Sequence, residues 1–304
     1  MTRIDRRDFL NSACLLGAAA CGLRTAGAAP AAEKTSAAEK KGAEIRYGLV
    51  TYQWAKDWDL PTLLANCVKT NVLGVELRTT HKHGVEPSLN DQQRAEVRQR
   101  FSDSGVTCVG IGSDERFDNT DPAVVRKAIE ASKAFVILSH DIGGSGVKVK
   151  PDRFWPTVPR EKTIEQIGKS LNELGEFAEG FGQQIRLEVH GQCAELPTIA
   201  AIMQVADHPS VGVCWNSNPQ DLQGEGLEHN FNLVKGRFGS TAHIHLLEMP
   251  TYPFAKLLDL YVQMDYQGWL MLEEGKIPED PVAELARQRK LFDTMLAASR
   301  ERVG

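Results

Sequence analysis

The feature that most constrains the fold is a regular alternation of short apolar segments with amphipathic segments, from Glu44 to the end of the chain. The apolar segments recur at intervals of about 25 to 40 residues, as repeated βα units do. They are rich in Val, Ile, Leu and Gly, which is typical of parallel strands buried on both faces. We predict strands at residues 45–51, 73–77, 106–111, 146–149, 185–189, 211–215, 242–247 and 269–272.

The segments between these strands carry helix signals. Asn90 is a capping residue ahead of residues 94–101, and Asp121-Pro122 opens the next helix. Residues 134–138 are predicted to end that helix rather than to form a strand. Eight βα units in about 250 residues predict an α/β fold, a (β/α)8 TIM barrel, over residues 44–304. An open doubly wound sheet is the alternative, although no G-x-G-x-x-G follows the first strand and the chain has no P-loop.

Residues 1–28 are interpreted as a twin-arginine-type signal peptide. Arg6-Arg7 precedes an apolar run at residues 13–23 and a small-residue stretch that ends at Ala29. The apolar run is too short to cross a bilayer, which needs about 20 residues. Residues 29–43 predict a flexible linker. We therefore expect export to the periplasm, with no transmembrane segment after signal removal; a lipid anchor at Cys21 is the alternative.

Charge and cysteine content narrow the partners. The formal charge of the chain is −5, and removal of a signal that carries four Arg and two Asp leaves −7. Nucleic-acid binding depends on neutralisation of phosphates by Lys and Arg, so this acidic chain is not expected to bind nucleic acid. Twin-arginine substrates fold before export, so we expect the cysteines outside the signal to be free thiols. These are Cys67, Cys108, Cys193 and Cys214.

Polar side chains recur where the predicted strands end. Side chains two apart on a strand share a face, so Glu188 lies with His190, and His243 lies with His245. Carboxylates and imidazoles that converge from several strands suit a divalent cation. Glu76 and Arg78 could instead form an internal ion pair. The candidate site residues are Glu76, Arg78, His81, His83, Lys148, Lys150, Glu188, His190, Asn216, His243, His245 and Glu273.

These residues carry a family resemblance. Between about Ile45 and Met295 the chain resembles the xylose-isomerase-like TIM barrels, often called the sugar phosphate isomerase/epimerase group. No single stretch is decisive, and it is their order along the strands that is informative. The stretches are residues 74–78, 186–191, 211–216, 242–245 and 268–273.

The resemblance implies a metal site. In the ketose 3-epimerase branch, Glu, Asp, His and Glu from strands five to eight hold a metal. The positions that match here are Glu188, Asn216, His245 and Glu273. This chain departs from the pattern because Asn216 replaces the Asp, and Pro219 stands where a substrate-binding His often follows. The expected cofactor is Mn, Zn, Co or Mg, with Asp221 as a substitute ligand or no metal at all as the alternatives.

The resemblance also implies the chemistry, which is proton transfer next to the carbonyl of a sugar or sugar derivative. Glu188 and Glu273 would transfer the protons. The other candidates would bind substrate, and these are Glu76, Arg78, His81, His83, Lys148, Lys150, His190 and His243. A lyase or hydratase on a 3-keto-sugar and a catalytically silent sugar-binding barrel are the alternatives; an abasic-site endonuclease is disfavoured by the acidic charge. A homo-oligomer is left open.

Overall fold

The computed structural model describes residues 41–304. The predicted signal peptide, Cys21 and most of the predicted linker lie outside the described residues. Within residues 41–304 all eight predicted strands and eight α-helices alternate along the chain. The strands are β1 (Arg46–Val50), β2 (Gly74–Arg78), β3 (Thr107–Arg116), β4 (Gly146–Lys150), β5 (Gln184–Glu188), β6 (Val211–Cys214), β7 (Thr241–Ile244) and β8 (Trp269–Leu272).

Each strand is followed by a helix that covers the outside of the sheet. The helices are α1 (Leu60–Thr70), α2 (Asp91–Ser104), α3 (Pro122–Asp141), α4 (Arg160–Glu179), α5 (Leu196–Val205), α6 (Leu227–Val234), α7 (Phe254–Gln263) and α8 (Pro281–Val303). The predicted helix starts are confirmed: Asn90 forms a capping box with Gln93, and the Asp121 carboxylate accepts from the Ala123 amide. Residues 134–138 lie inside α3, as predicted.

The strands form one parallel sheet in the order β6-β5-β4-β3-β2-β1-β8-β7. The sheet closes between β6 and β7 through a few backbone hydrogen bonds, where the His243 amide donates to the Trp215 carbonyl at 2.6 Å and the Ser217 amide donates to the His243 carbonyl at 3.2 Å. These bonds lie at the carboxyl ends of the two strands. The last step of barrel closure therefore fixes the backbone of His243 next to Asn216, its bridge partner. The TIM barrel prediction is confirmed.

Because side chains along each strand point alternately to its two sides, the molecule has two buried regions: the core between sheet and helices, and the barrel axis. On β7, Ala242 and Ile244 belong to the apolar core that lies between the sheet and the helices. Thr241 and His243 are also buried, but they face the barrel axis because neighbouring side chains of a strand point to opposite sides. The apolar residues thus build the shell, while the axis collects the polar side chains that the sequence placed at alternate positions.

A single cation fills the lower part of the barrel. Arg186 is fully buried, and its guanidinium donates to Ser145 Oγ at 2.6 Å and Gln184 Oε1 at 3.1 Å. Two glycines make the room: a Cβ at Gly110 would lie 3.0 Å from Arg186 Nη1, and one at Gly146 would lie 2.9 Å from Nη2. The Arg186 guanidinium also donates to the Val109 carbonyl at 3.4 Å, so within residues 41–304 its acceptors are neutral oxygens and Arg186 brings a positive charge to the axis without a paired carboxylate.

Two remaining predictions concern the cysteines and the membrane. Cys67, Cys108, Cys193 and Cys214 are buried free thiols, as expected. In residues 41–304, every helix is too short or too polar to cross a bilayer.

Candidate active site

A cluster of charged side chains lies on the axis at the carboxyl ends of the strands, where TIM barrels carry their chemistry. His243 is at its centre. Its Nε2 is 3.0 Å from Glu76 Oε1, and its Nδ1 is 3.1 Å from Glu273 Oε2 and 3.4 Å from Glu188 Oε1. We call the following set the inner cluster: Glu76, Lys148, Glu188, Asn216, His243 and Glu273. All six residues are buried.

Glu188 is held from both sides by protein donors. The Lys148 ammonium lies 2.8 Å from Glu188 Oε2, and the Asn216 side-chain amide donates to Oε1 at 2.9 Å. Lys148 also donates to the Ser113 carbonyl at 3.3 Å. A charge buried this deeply is tolerated only when it is paired and hydrogen-bonded, and both conditions are met here.

The cluster sets its own protonation states. Burial opposes ionisation of Glu188, but Lys148 and His243 outweigh it and hold the pKa of Glu188 well below its usual range. Burial also raises the pKa of Glu273, yet His243 reverses the effect and lowers it. Burial disfavours a charge on His243, but the facing carboxylates Glu273 and Glu76 raise the pKa of His243 well above its usual value. At neutral pH the carboxylates of Glu188 and Glu273 are therefore ionised beside the imidazolium of His243.

Three members of the inner cluster could hold a metal ion. Donor atoms of Glu188, His243 and Glu273 all lie within 4.8 Å of one another. Two carboxylates and an imidazole are donors that Zn²⁺ and Mn²⁺ accept. Among the described residues, the buried oxygen Oδ1 of Asn216 has no hydrogen-bond partner, which leaves a further donor at the cluster. The residues present therefore fit a divalent cation.

This set differs from the predicted one in its histidine. His245 Nδ1 donates to the Glu273 carbonyl at 2.7 Å, and the His245 side chain is 27% exposed. His243, for which substrate binding is predicted, lies between the carboxylates of Glu188 and Glu273. The two histidines share a face, so sequence spacing could not tell them apart; His243 is the deeper because it belongs to β7, whereas His245 lies one residue beyond the strand.

Asp221, the suggested substitute ligand, lies in different surroundings. Its Oδ2 accepts from the Tyr252 hydroxyl at 2.6 Å and from the Asn218 amide at 2.9 Å. Burial raises the pKa of Asp221 to about 8 because these neutral donors only partly offset it. The carboxyl group is therefore protonated at neutral pH and holds the loop after β6 in place.

A cavity of about 290 Å³ is lined in part by Ser217 and Glu274, which directly follow Asn216 and Glu273 of the inner cluster in the sequence. His245 also lines this cavity and donates a hydrogen bond to the Glu273 carbonyl. The remaining lining residues come from the loops after β6 and β7, and these are Pro219, Met249, Thr251 and Tyr252. The cavity thus combines polar groups with apolar walls, as small-molecule sites commonly do.

Three predicted substrate residues lie in a more exposed network of charges. Lys150 is 2.8 Å from Asp114 Oδ1, and Arg78 is 3.5 Å from the same oxygen. Glu76 and Arg78 do not form the ion pair suggested as an alternative, because Glu76 faces His243 and Arg78 faces Asp114. We call this network the rim: Arg78, Asp114, Arg116, Lys150, Asp152 and His190. His190 Nδ1 is 2.8 Å from Asp152, which also pairs with Arg116 at 2.7 Å.

The two loop histidines lie apart from the inner cluster. His83 Nε2 donates to the Arg78 carbonyl at 2.8 Å, and its Nδ1 accepts from the Val85 amide at 3.1 Å. Burial lowers the pKa of His83 to about 4, so the ring is neutral and both nitrogens are occupied. This residue shapes the loop after β2, and its contact with substrate stays a prediction. His81 Nδ1 is 3.3 Å from Thr51 Oγ1.

Sequence reasoning missed the acidic half of the rim. Strand β3 continues to Arg116, whereas the prediction ended it at Ile111 where the residues become polar. The signal was present, because Gly112, Asp114 and Arg116 continue the alternation of the strand. Asp152 has a positive φ of 71° in the loop after β4, a conformation that only the structure reveals.

The family model for the xylose isomerase-like TIM barrel matches residues 64–293. Among curated proteins, none matches the sequence at a significant level. Among solved structures, L-ribulose 3-epimerase superposes with a TM-score of 0.72 at 16% identity, covering 85% of this chain and 96% of that one.

Two further solved structures have the same fold. The 3-keto-D-glucoside 4-epimerase YcjR from E. coli gives a TM-score of 0.69 at 14% identity, covering 83% of this chain and 99% of that one. The IolI protein with a bound zinc atom gives 0.69 at 16% identity, covering 84% and 99%. At such identities the likeness establishes the fold and leaves the substrate open.

Proposed function

Because this chain belongs to the xylose isomerase-like TIM barrel family, we propose that it is a sugar isomerase or epimerase that transfers a proton on the carbon next to a carbonyl. The observation that carries the proposal is the placement of His243 Nδ1 between two carboxylates, 3.1 Å from Glu273 and 3.4 Å from Glu188. Epimerisation needs one group to remove a proton and a group to return it.

Glu273 is the better base of the two carboxylates. Its side chain is 12% exposed, whereas that of Glu188 is 1% exposed and bound by Lys148. An ionised Glu273 can accept a proton from substrate, and the imidazolium of His243, whose Nδ1 lies 3.1 Å from Glu273 Oε2, can donate a proton back. Glu76, on the other side of the ring, keeps the imidazole oriented for this exchange. Glu188 then stabilises the imidazolium, in addition to its predicted part in proton transfer.

A divalent ion held by Glu188, Glu273 and the neutral form of His243 would polarise the sugar carbonyl and lower the barrier to proton removal, whereas the imidazolium is the form that donates a proton when no ion is bound. Mn, Zn, Co and Mg are all compatible with the donor set. Asn216, a member of the inner cluster, and His245, two residues after His243, remain candidate ligands. His190 and Lys150 at the rim, with 35% and 10% of their side chains exposed, would stabilise negative charge that develops on the substrate oxygens.

A monosaccharide or a small glycoside is the proposed substrate. The cavity of about 290 Å³ is at the small end of ligand pockets. Ser217, Tyr252, His245 and Glu274 offer hydrogen bonds to hydroxyl groups, and Met249 gives an apolar wall. The fold neighbours act on ketoses and on a 3-keto-glucoside, which defines the substrates to test first.

A catalytically silent sugar-binding barrel is the second candidate. It is favoured by one observation, which is that the Lys148 ammonium pairs with one oxygen of Glu188 and the Asn216 amide donates to the other. A lyase or hydratase on a 3-keto-sugar would use the same proton removal and differ only in its product.

The test is solvent deuterium exchange, followed by NMR. We would incubate the protein with Mn²⁺ and D-psicose, D-tagatose, L-ribulose or a 3-keto-glucoside in D2O. Deuterium next to the carbonyl together with a new isomer supports the proposal, whereas an unsaturated or cleaved product identifies a lyase. Glu273→Gln should reduce exchange by about 10²- to 10⁴-fold, the usual contribution of a general base. Glu248→Gln is the matched control, since Glu248 pairs with Arg287 on the surface.

Exchange that is absent from every sugar, while the sugars still bind and perturb protein spectra, would establish the silent barrel instead. Exchange that survives in Glu273→Gln would move the base to Glu188, whose own Gln variant would then abolish it.

We also propose that the barrel works outside the cytoplasm. The support is the order of Arg6-Arg7, the apolar run at residues 13–23 and the small residues before Pro30. Residues 1–40 fused to a fluorescent reporter should direct it to the periplasm, and Arg6→Lys with Arg7→Lys should retain it in the cytoplasm. A fusion that stays cytoplasmic without the substitutions would overturn the proposal.

A further inference from the structure

The Lys148 side chain occupies an unusual place for a cation. It is fully buried on the barrel axis, with its ammonium 2.8 Å from Glu188 Oε2 and 3.3 Å from the Ser113 carbonyl. Its neighbour on the same face of β4, Lys150, instead reaches the rim and pairs with Asp114. Two lysines of one strand thus serve different layers, and only Lys148 faces a carboxylate that could bind a metal.

Lys148 and Asn216 act on Glu188 in the same direction. The ammonium faces one carboxylate oxygen and the side-chain amide of Asn216 donates to the other at 2.9 Å. A metal ion that used Glu188 would need lone pairs that now face these donors, and it would lie next to a fixed positive charge. Repulsion between cations is strong in a buried site, because the effective dielectric constant is low.

The balance of charges inside the barrel also disfavours a divalent ion. Glu76, Glu188 and Glu273 are the carboxylates of the inner cluster, and Lys148 and Arg186 are permanent cations buried on the same axis. Most of the negative charge that would attract a divalent ion is therefore already compensated by the side chains of the chain itself.

We propose that Lys148 is the resident cation of the inner cluster: it competes with a divalent ion for Glu188, keeps the site assembled without one, and makes metal binding weak. The inference rests on the proposed function only in placing the metal at this cluster, and it does not depend on turnover. It assigns the weak binding to two residues, Lys148 and Asn216.

The test is calorimetric titration of the mature protein with Mn²⁺. Lys148→Gln removes the charge, while the amide of the new side chain can still donate to Glu188. We expect it to bind Mn²⁺ about 10- to 100-fold more tightly than wild type, the range over which residues around metal ligands tune affinity. Asn216→Asp should also tighten binding, because it adds a charged ligand. Lys150→Gln is the matched control and should leave the affinity unchanged.

Each outcome decides. If Lys148→Gln binds Mn²⁺ no more tightly than wild type, or if Lys150→Gln tightens binding equally, the proposal is wrong. If Lys148→Gln fails to fold alone, it should refold when Mn²⁺ is added, with a melting temperature that rises with Mn²⁺ concentration; failure to do so also overturns the proposal. Because the readout is affinity or stability, a protein that binds as expected but turns over no sugar would refute the proposed function alone.

Discussion

Glu188 and Asp221 are both buried carboxyl groups, yet they lie in opposite electrostatic surroundings. Glu188 faces the Lys148 ammonium, and its pKa is held well below the usual range. Asp221 receives hydrogen bonds only from neutral groups, Tyr252 and the Asn218 amide, and burial raises its pKa to about 8. Burial therefore does not decide ionisation by itself; the presence of a paired cation does.

The two groups of residues therefore have different roles, one chemical and one structural. The inner cluster keeps its carboxylates charged and can transfer protons or bind a cation. The carboxyl group of Asp221 behaves as a neutral hydrogen-bonding residue and fixes the loop that lines the cavity. Tyr252 links Asp221 to the cavity, because its hydroxyl donates to Asp221 and its side chain lines the cavity.

The largest expected effect comes from removing the buried ammonium that pairs with Glu188. Lys148→Met should destabilise the protein by about 3 to 5 kcal/mol at neutral pH, because it leaves a buried charge without its partner. The loss should shrink as the pH falls, since Glu188 can then take up a proton. Urea denaturation between pH 4 and pH 7 measures both effects; a loss that does not depend on pH would indicate a packing defect instead.

A smaller effect on the free energy of unfolding is expected from replacing Asp221, whose pKa is raised in the folded state. The folded pKa of about 8 exceeds that of an unfolded aspartate, so the folded state binds more protons and stability falls as the pH rises. Between pH 6 and pH 8 this amounts to about 2 kcal/mol, at about 1.4 kcal/mol per pH unit. Asp221→Asn should remove that slope.

Chemical denaturation of wild type and Asp221→Asn at several pH values would measure this difference. Parallel curves for the two proteins would mean that Asp221 is ionised in the folded state, and the contrast with Glu188 would then be lost. Glu173→Gln is a suitable control, because Glu173 forms surface ion pairs with Arg126 and Lys133 on the outer helices.

The smallest effect is expected at the rim. Lys150 pairs with Asp114, whose side chain is 48% exposed, so water screens the pair. Lys150→Met should cost less than about 1 kcal/mol of stability, and the cost should decrease further at high salt. Comparison with Lys148→Met tests burial directly, because the two lysines lie on one strand and differ mainly in their surroundings. Equal losses would show that strand packing, and not ion pairing, governs both positions.

Much of the architecture followed from pattern. The eight strands were predicted within a few residues, because parallel strands buried on both faces must be nearly continuous runs of apolar residues. Helix starts at Asn90 and Asp121 were also predictable, because capping depends on local hydrogen bonds. The end of β3 was missed, since a strand that continues into polar residues at the rim loses its apolar signal.

The site was only partly predictable. Period-two spacing placed Glu188 and His243 on the barrel axis, and the structure brings both into the inner cluster. Spacing could not decide whether His243 or His245 lies among the carboxylates. It also could not show that both ring nitrogens of His83 form hydrogen bonds with the backbone. Those outcomes depend on depth along the axis and on loop geometry, which are set by neighbours distant in sequence.

Residue pattern alone specified the βα repeat, the polar character of the strand ends and the residue types available for chemistry. The pairing of polar side chains became visible in the three-dimensional structure alone. Lys148 pairs with Glu188, Lys150 pairs with Asp114, and the Tyr252 hydroxyl donates to Asp221. The physical reason is that local pattern follows from propensity and periodicity, whereas the state of a charged group depends on its burial and on the charges that long-range packing places beside it.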